Sequence, residues 1–444
     1  MWIGNTEVWR TCTAEPVWSG IHFSFSKDVS AFKSLLSSAQ SLVVDIGNYV
    51  IGPYNGTFNA TLSIDFYRIE SPHSEPPPGH IIPLSKRDSR GVSTYFSLPD
   101  DKSAASVVIP RNSSRIVLEI FASGNGQEEF WYSNVPEEYV DTFAAWNITF
   151  LGQGPFRELI VFIDDYPIGV LWPFEVVFTG GICPGFWRPI VGHRTFDLPS
   201  YSLDLTPFIS YLRGGRHEIR FEVQGQPHTL QNWYVSGHLR VWSSGPSSLP
   251  ASASSSPPQS ISKKANITVT GNTTNDNTSF TVTTRANRHG QPFILDYENR
   301  QTYQGLNNGS TILQSVLQKT SFQTPLSSGH FIFDLEMQES DNPDGTISIN
   351  ANLSQTFHRS TIMFDGSLII EHAEVSSSGR LLIGKKRNYS QGNTSVLVNY
   401  TSAYREFLRD VRAIGFDIVS DYQEDTLVGS SAGTDSLRFQ VLNV

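Results

Sequence analysis

The chain has 444 residues, 42 acidic against 32 basic, for a formal charge of −10. At roughly 150 residues per domain this length predicts about three domains, and 39% hydrophobic with 12% aromatic residues supplies cores that a disordered chain lacks. The acidic balance argues against a nucleic-acid surface, two cysteines exclude a disulfide-dense scaffold or a four-cysteine zinc site, and no uncharged apolar run is long enough to cross a bilayer as a helix.

The chain opens Met1-Trp2-Ile3-Gly4-Asn5-Thr6-Glu7-Val8-Trp9-Arg10, a strand, a Gly-Asn turn and a second strand. No basic, then apolar, leader precedes it, so a signal peptide is absent from the chain and the true start is expected upstream. Asp28 is placed to cap a short helix through Ser38. Period-two or continuous apolar patterns predict strands at Thr57–Ile69, Ser114–Ala122, Glu158–Asp164 and His217–Val223. Thr206-Pro207 opens a short helix that stops at Gly214-Gly215. Ser243–Ser262 is almost wholly Ser, Pro, Ala and Gly and cannot bury a core. Beyond it, Ala265–Thr284, Thr346–Thr356 and Ser360–His372 read as strands, and Ser402–Ile414 as a longer helix.

Many short strands between Gly/Pro turns predict a mainly β chain of tandem jelly-roll-type antiparallel sandwiches plus a C-terminal β-rich domain. The expected boundaries are a partial first jelly roll at 1–70, a linker at 71–103, a second jelly roll at 104–242, the Ser/Pro linker at 243–262 and the last domain at 263–444. All nine Trp precede that second linker, whereas eight of twelve Asn-x-Ser/Thr sequons follow it.

The sequons are Asn55, Asn59, Asn112, Asn147, Asn266, Asn272, Asn277, Asn308, Asn352, Asn388, Asn393 and Asn399. Random placement after 24 Asn would give about four or five, so the excess predicts a glycosylated, secreted or vacuolar protein. Other motifs carry less. Gly429–Gly433 matches a nucleophile elbow, but no His follows it to act as a base, which leaves a Ser/Gly loop. Asp341–Gly345 lacks the spacing and distal Glu of a calcium loop. The eleven His are scattered, so no metal site is expected.

Two loops stand out. Gly124–Val135 holds adjacent carboxylates, Glu128 and Glu129, followed by Phe130-Trp131-Tyr132. Carboxylates supply acid/base chemistry, and aromatic faces stack on sugar rings; a solvated acidic loop beside a core Trp fits the same residues. Gly180–Pro189 pairs glycines that permit close backbone approach with Trp187-Arg188, or forms a structural crossover. Asp164-Asp165 reads as a hairpin turn.

Three stretches together resemble the peptide N-glycanase A family of acidic peptide-N4-(N-acetyl-β-glucosaminyl)asparagine amidases. They are Glu7–Pro16 (EVWRTCTAEP) with Gly20 and Lys27-Asp28-Val29, then Glu128–Pro136 (EEFWYSNVP), then Gly154–Phe208 with GPFRELIVFIDD, GVLWPFEVVFTGG, WRPIVG and FDLPSYSLDLTPF. The likeness is strong over 1–242 and weak beyond. Cys12 stands where the family usually has Ser, so no Cys12–Cys183 pairing is assumed. The resemblance implies hydrolysis of the Asn–GlcNAc amide of an N-glycopeptide or denatured glycoprotein, leaving Asp and a glycosylamine, with no metal or organic cofactor. Bacterial enzymes of similar purpose use two tandem jelly rolls.

The resemblance also implies that an Asp-Arg strand, whose Asp is the expected main catalytic carboxylate, falls just before Met1. The chain as it stands is therefore expected to be inactive. Within it, Glu128, Glu129 and Arg188 are the catalytic candidates. Trp131, Trp187, Glu15 and Arg10 are the substrate-binding ones, the last two equally readable as a structural salt bridge. A non-catalytic, lectin-like protein built on the Trp-rich loops is the alternative. A paired-carboxylate glycosidase ranks last, because adjacent residues seldom flank one bond from both sides.

Overall fold

The computed structural model describes residues 1–15, 20–47, 56–66, 76–86, 91–243, 260–290, 293–363, 366–385, 388–403, 405–427 and 436–443. Asn55, the Gly429–Gly433 loop, residues 71–75 and 87–90 of the first expected linker, and 244–259 of the second lie outside them.

The chain is mainly β and its sheets are antiparallel, as the turn-punctuated pattern predicts. Trp2–Ile3 pairs with Thr6–Glu7 around Gly4, whose φ of +60° the tight turn requires. Leu42–Val43 adds a third strand. Ile3, Val8, Trp9, Val29 and Phe32 form a small core beneath, with the Trp9 ring stacked on Phe25 at 5.4 Å. His22–Asp28 and Phe58–Asp65 do not pair with each other. Ser436–Asn443 lies between them and pairs with both.

A sandwich follows. One sheet runs Ser200–Asp204, Ser113–Gly124, Trp233–Ser243, His80–Leu84, with Phe96–Leu98 also on the Trp233 strand. The other runs Tyr166–Leu171, Glu158–Ile163, Arg216–Gln224, Ala104–Val108. Glu158–Ile163 is buried at every position, which explains its unbroken apolar run. The helix expected after Thr206 is a 3₁₀ turn, Thr206–Phe208, leading into Ile209–Leu212. The helix expected from Asp28 to Ser38 is a short one, Ser30–Phe32 running on into Lys33–Leu36, with Val29 at its N-cap; Asp28 Oδ1 accepts from the Ser30 amide at 2.8 Å in the turn that leads into it.

The third layer is one ten-stranded sheet of successive hairpins, from Asn266–Thr273 to Asp417–Leu427. Its alternation is regular. In Phe293–Leu306 the odd-numbered residues are buried, while the even-numbered ones turn outward. The buried face packs on the sandwich, and apolar side chains of both form one continuous core. Polar residues on that face satisfy backbone groups of sandwich loops. Tyr297 donates to Pro155 O at 2.7 Å, Asn299 Nδ2 to Tyr132 O at 3.0 Å and Gln301 Nε2 to Asn134 O at 2.9 Å.

Other elements differ from expectation: Ala265–Thr284, expected as one strand, is the hairpin of Asn266–Thr273 and the first half of Ser279–Gly290. Ser402–Ile414 is not a helix. Arg405–Ile414 is a strand held between Tyr389–Thr401 and Asp417–Leu427, and the pairing of both edges overrides a helical propensity. The single strand expected over Ser360–His372 is the end of Ile347–Ile362 and the start of Leu368–Ile383, with Gly366 at φ +80° in the turn between them.

Candidate functional site

The segment Glu7–Glu15 threads between two loops of the sandwich. Leu198 N donates to Arg10 O at 2.9 Å, Cys12 N to Thr195 O at 3.0 Å, and the Thr179 hydroxyl to Thr13 O. It thereby brings the three stretches of the family resemblance to one place.

Arg10 is braced. Its Nε and NH2 grip the Glu7 carboxylate at 2.8 and 2.7 Å, and NH1 donates to Ser123 Oγ at 3.0 Å and Tyr234 O at 2.6 Å. Burial alone would raise the Glu7 carboxyl, but Arg10 outweighs it and holds the group below its ordinary range. Arg10 thus fastens the Glu7–Glu15 segment to the long strands of the sandwich.

The two adjacent glutamates have opposite environments. Residues 126–128 form a 3₁₀ turn after Gly124, where a Cβ would sit 2.2 Å from Glu128 O. This tight turn sends Glu128 inward. Fully buried, its carboxylate accepts from Arg157 Nε at 2.5 Å and NH2 at 2.8 Å, from Leu230 N at 2.7 Å and from Trp233 Nε1 at 2.6 Å. With four donors in place, Glu128 has no face open to a substrate, and its place as a catalytic candidate is withdrawn in favour of a structural one.

Glu129 points the other way. It is half-buried, and among the described residues no hydrogen bond or ion pair engages its carboxyl. Burial pushes its pKa up. It lines a narrow cleft with Ser123, Trp131, Phe178, Leu198 and Tyr201, whose volume of ≈ 20 Å³ is that of about one water site. Cys12 lies close enough to feel its charge. Burial first, and Glu129 in addition, raise the Cys12 thiol. An apolar cavity of ≈ 130 Å³ between sandwich and ten-stranded sheet shares Tyr201 but holds no carboxylate.

On the Gly180–Pro189 loop, which follows the cleft residue Phe178, Arg188 NH2 meets Glu15 Oε1 at 3.0 Å. Burial raises the Glu15 carboxyl and Arg188 partly offsets this. Gly180, at φ +84°, permits the approach, since a Cβ there would lie 2.5 Å from Glu15 Oε2. The tryptophans serve differently from expectation. Trp131 is 4% exposed and packs against Trp233, and Trp187 is 2% exposed and donates to Gly181 O at 2.9 Å. Neither offers an open ring face for stacking on a sugar, because each has been drawn into the core to support its loop. Phe130, partly exposed, is the aromatic left beside the glycines.

Asp164 lies in the expected turn at φ +53° and accepts from Tyr211, His217 and the Glu218 amide. Cys12 and Cys183 are both free thiols. Among the described residues no group of three His, Cys, Asp or Glu is placed to hold a metal ion. Sequence reasoning passed over Glu7, Arg157 and Glu175. The available signal for Glu175 was a single carboxylate inside the apolar run Trp172–Phe178.

A family model described as peptide N-acetyl-β-D-glucosaminyl asparaginase amidase A matches residues 1–259, which take in every group around the cleft. A curated protein of Prunus dulcis, peptide-N4-(N-acetyl-β-glucosaminyl)asparagine amidase A, is 36% identical over 259 residues, 54% of this chain and 44% of that protein. The chain therefore spans less than half the length of this relative. No solved structure matches.

Proposed function

Because the chain belongs to the peptide N-acetyl-β-D-glucosaminyl asparaginase amidase A family, we propose that it hydrolyses the amide joining an asparagine side chain to the first N-acetylglucosamine of an N-glycan. The substrate is a glycopeptide or an unfolded glycoprotein, the peptide Asn becomes Asp, and the glycan leaves as a glycosylamine. The observation that supports this best is Glu129, a carboxyl with no partner among the described residues, lining a cleft with the volume of one water site. In this reading Glu129 takes a proton from that water as it attacks the amide carbon, then returns it to the departing nitrogen. Arg188, held in direction by Glu15, orients the substrate carbonyl. Glu128 fixes the loop that presents Glu129.

We assign the protein to a secreted or vacuolar setting. Its sequons support this. All eleven that fall among the described residues are exposed, whereas of the ten other asparagines with described side chains only Asn275, Asn307 and Asn350 are.

The test is glycan release from a defined glycopeptide by the whole gene product, with the peptide product checked for Asp. Glu129→Gln and Arg188→Ala are expected to cost on the order of 10²-fold or more in turnover at unchanged melting temperature. Because Glu129 must start deprotonated to take that proton, turnover also falls as pH drops through its raised pKa. Full turnover in both variants would remove the site; no release by the unaltered protein would remove the function.

A further inference from the structure

Among the described residues the ten-stranded sheet does not close, so it has two edges. An open edge offers unpaired backbone groups to any other strand, and proteins block it with charge, proline, bulges or a cover. The two edges here differ in chemistry. Asp417–Leu427 carries Asp417, Asp421, Glu424 and Asp425 and no Lys or Arg; Asp421 and Asp425 are paired by Arg409 and Arg405 of the adjoining strand, which leaves the edge net negative. Asn266–Thr273, NITVTGNT, carries no charge and no proline, and its pairing with Ser279–Gly290 shows no bulge. Rich in β-branched residues and uncharged, it has the composition of a strand prone to self-association.

What this strand does have is sequons. Ile267 and Val269 turn toward the core, which leaves Asn266, Thr268, Thr270 and Asn272 on the outer, exposed side. Asn266 and Asn272 are six residues apart, roughly 20 Å along a strand. Asn277 follows in the hairpin turn at φ +54°, also exposed. The edge without charge thus bears two acceptor sites along its length and a third in the turn that follows.

We propose that N-linked oligosaccharides on Asn266, Asn272 and Asn277 guard this edge, doing by bulk and hydration what net negative charge does at the other. This rests on the secreted or vacuolar assignment above.

The experiment uses the full chain secreted from a glycosylating eukaryotic host. Peptide mapping should find Asn266 and Asn272 occupied. Asn266→Gln/Asn272→Gln should raise the aggregated fraction in size-exclusion chromatography several-fold. Asn352→Gln/Asn393→Gln, which strips the same face on interior strands, should keep the wild-type profile. Adding Thr270→Lys to the first pair should restore it, since a charge at an outward edge position replaces the glycan; this also separates edge pairing from misfolding. Occupancy elsewhere with Asn266 and Asn272 bare, or a wild-type profile in Asn266→Gln/Asn272→Gln, overturns the proposal and leaves the compartment standing. Absence of glycan from all sequons overturns both.

Discussion

Replacing Glu175 with Gln should make the protein more stable near neutrality and leave it nearly unchanged in acid. Glu175 is 1% exposed where the sandwich meets the ten-stranded sheet. One oxygen accepts from Gln318 Nε2, the other has no partner among the described residues, and Gln355 Nε2 donates to its backbone oxygen at 2.7 Å. Burial pushes its pKa from 4.5 to about 7, against smaller lowering from its own backbone amide and from Gln318. The folded protein therefore keeps a proton that the unfolded chain releases between pH 4.5 and 7. Stability falls as pH rises through that window and levels off above it. A shift of two to three pKa units corresponds to about 3 kcal/mol. Glu175→Gln keeps the shape and the acceptor for Gln318 but removes the titration. Paired denaturant melts at pH 5 and pH 7.5 should show the variant within about 1 kcal/mol of wild type in acid and about 3 kcal/mol more stable at pH 7.5. A difference that does not change with pH would refute the argument.

Other perturbations separate support from chemistry. Glu128→Gln strands the Arg157 guanidinium in the core and should cost ~3–5 kcal/mol; lost turnover at wild-type stability would instead return Glu128 to the catalytic group. Arg288→Met leaves the buried Glu158 carboxylate with Trp172 Nε1 in place of a two-pronged guanidinium, and should loosen the sheet from the sandwich by about 3 kcal/mol. Faster proteolysis of the Asn266–Leu427 hairpins is the check, and wild-type resistance would show that apolar packing alone holds the layers together.

Much of the β architecture is legible in the sequence because period-two patterning and turn residues act locally. The opening hairpin at Gly4-Asn5 and the buried strand Glu158–Ile163 need only their own residues. The site is less legible. Glu128 and Glu129 are the same residue type in adjacent positions. What seals the first is Arg157, 29 positions on, and Trp233, 105 positions on. Trp131 and Trp187 likewise look like stacking platforms until distant neighbours bury them. Arg405–Ile414 reads as a helix because its charged face suits one; only the strands on either side settle its conformation.

The shared core between sandwich and ten-stranded sheet has a consequence for biosynthesis. The last sandwich strand ends at Ser243, but the sheet that covers it ends at Leu427. At roughly 5–20 residues per second, a ribosome takes on the order of ten seconds or more to make the difference. During that time the sandwich presents a face meant for burial. Glu158 and Glu175 lie on that face, and before the sheet arrives they are wetted carboxylates. Until the hairpins close over it, that face carries two carboxylates whose later partners, Arg288 and Gln318, are still unmade or undocked.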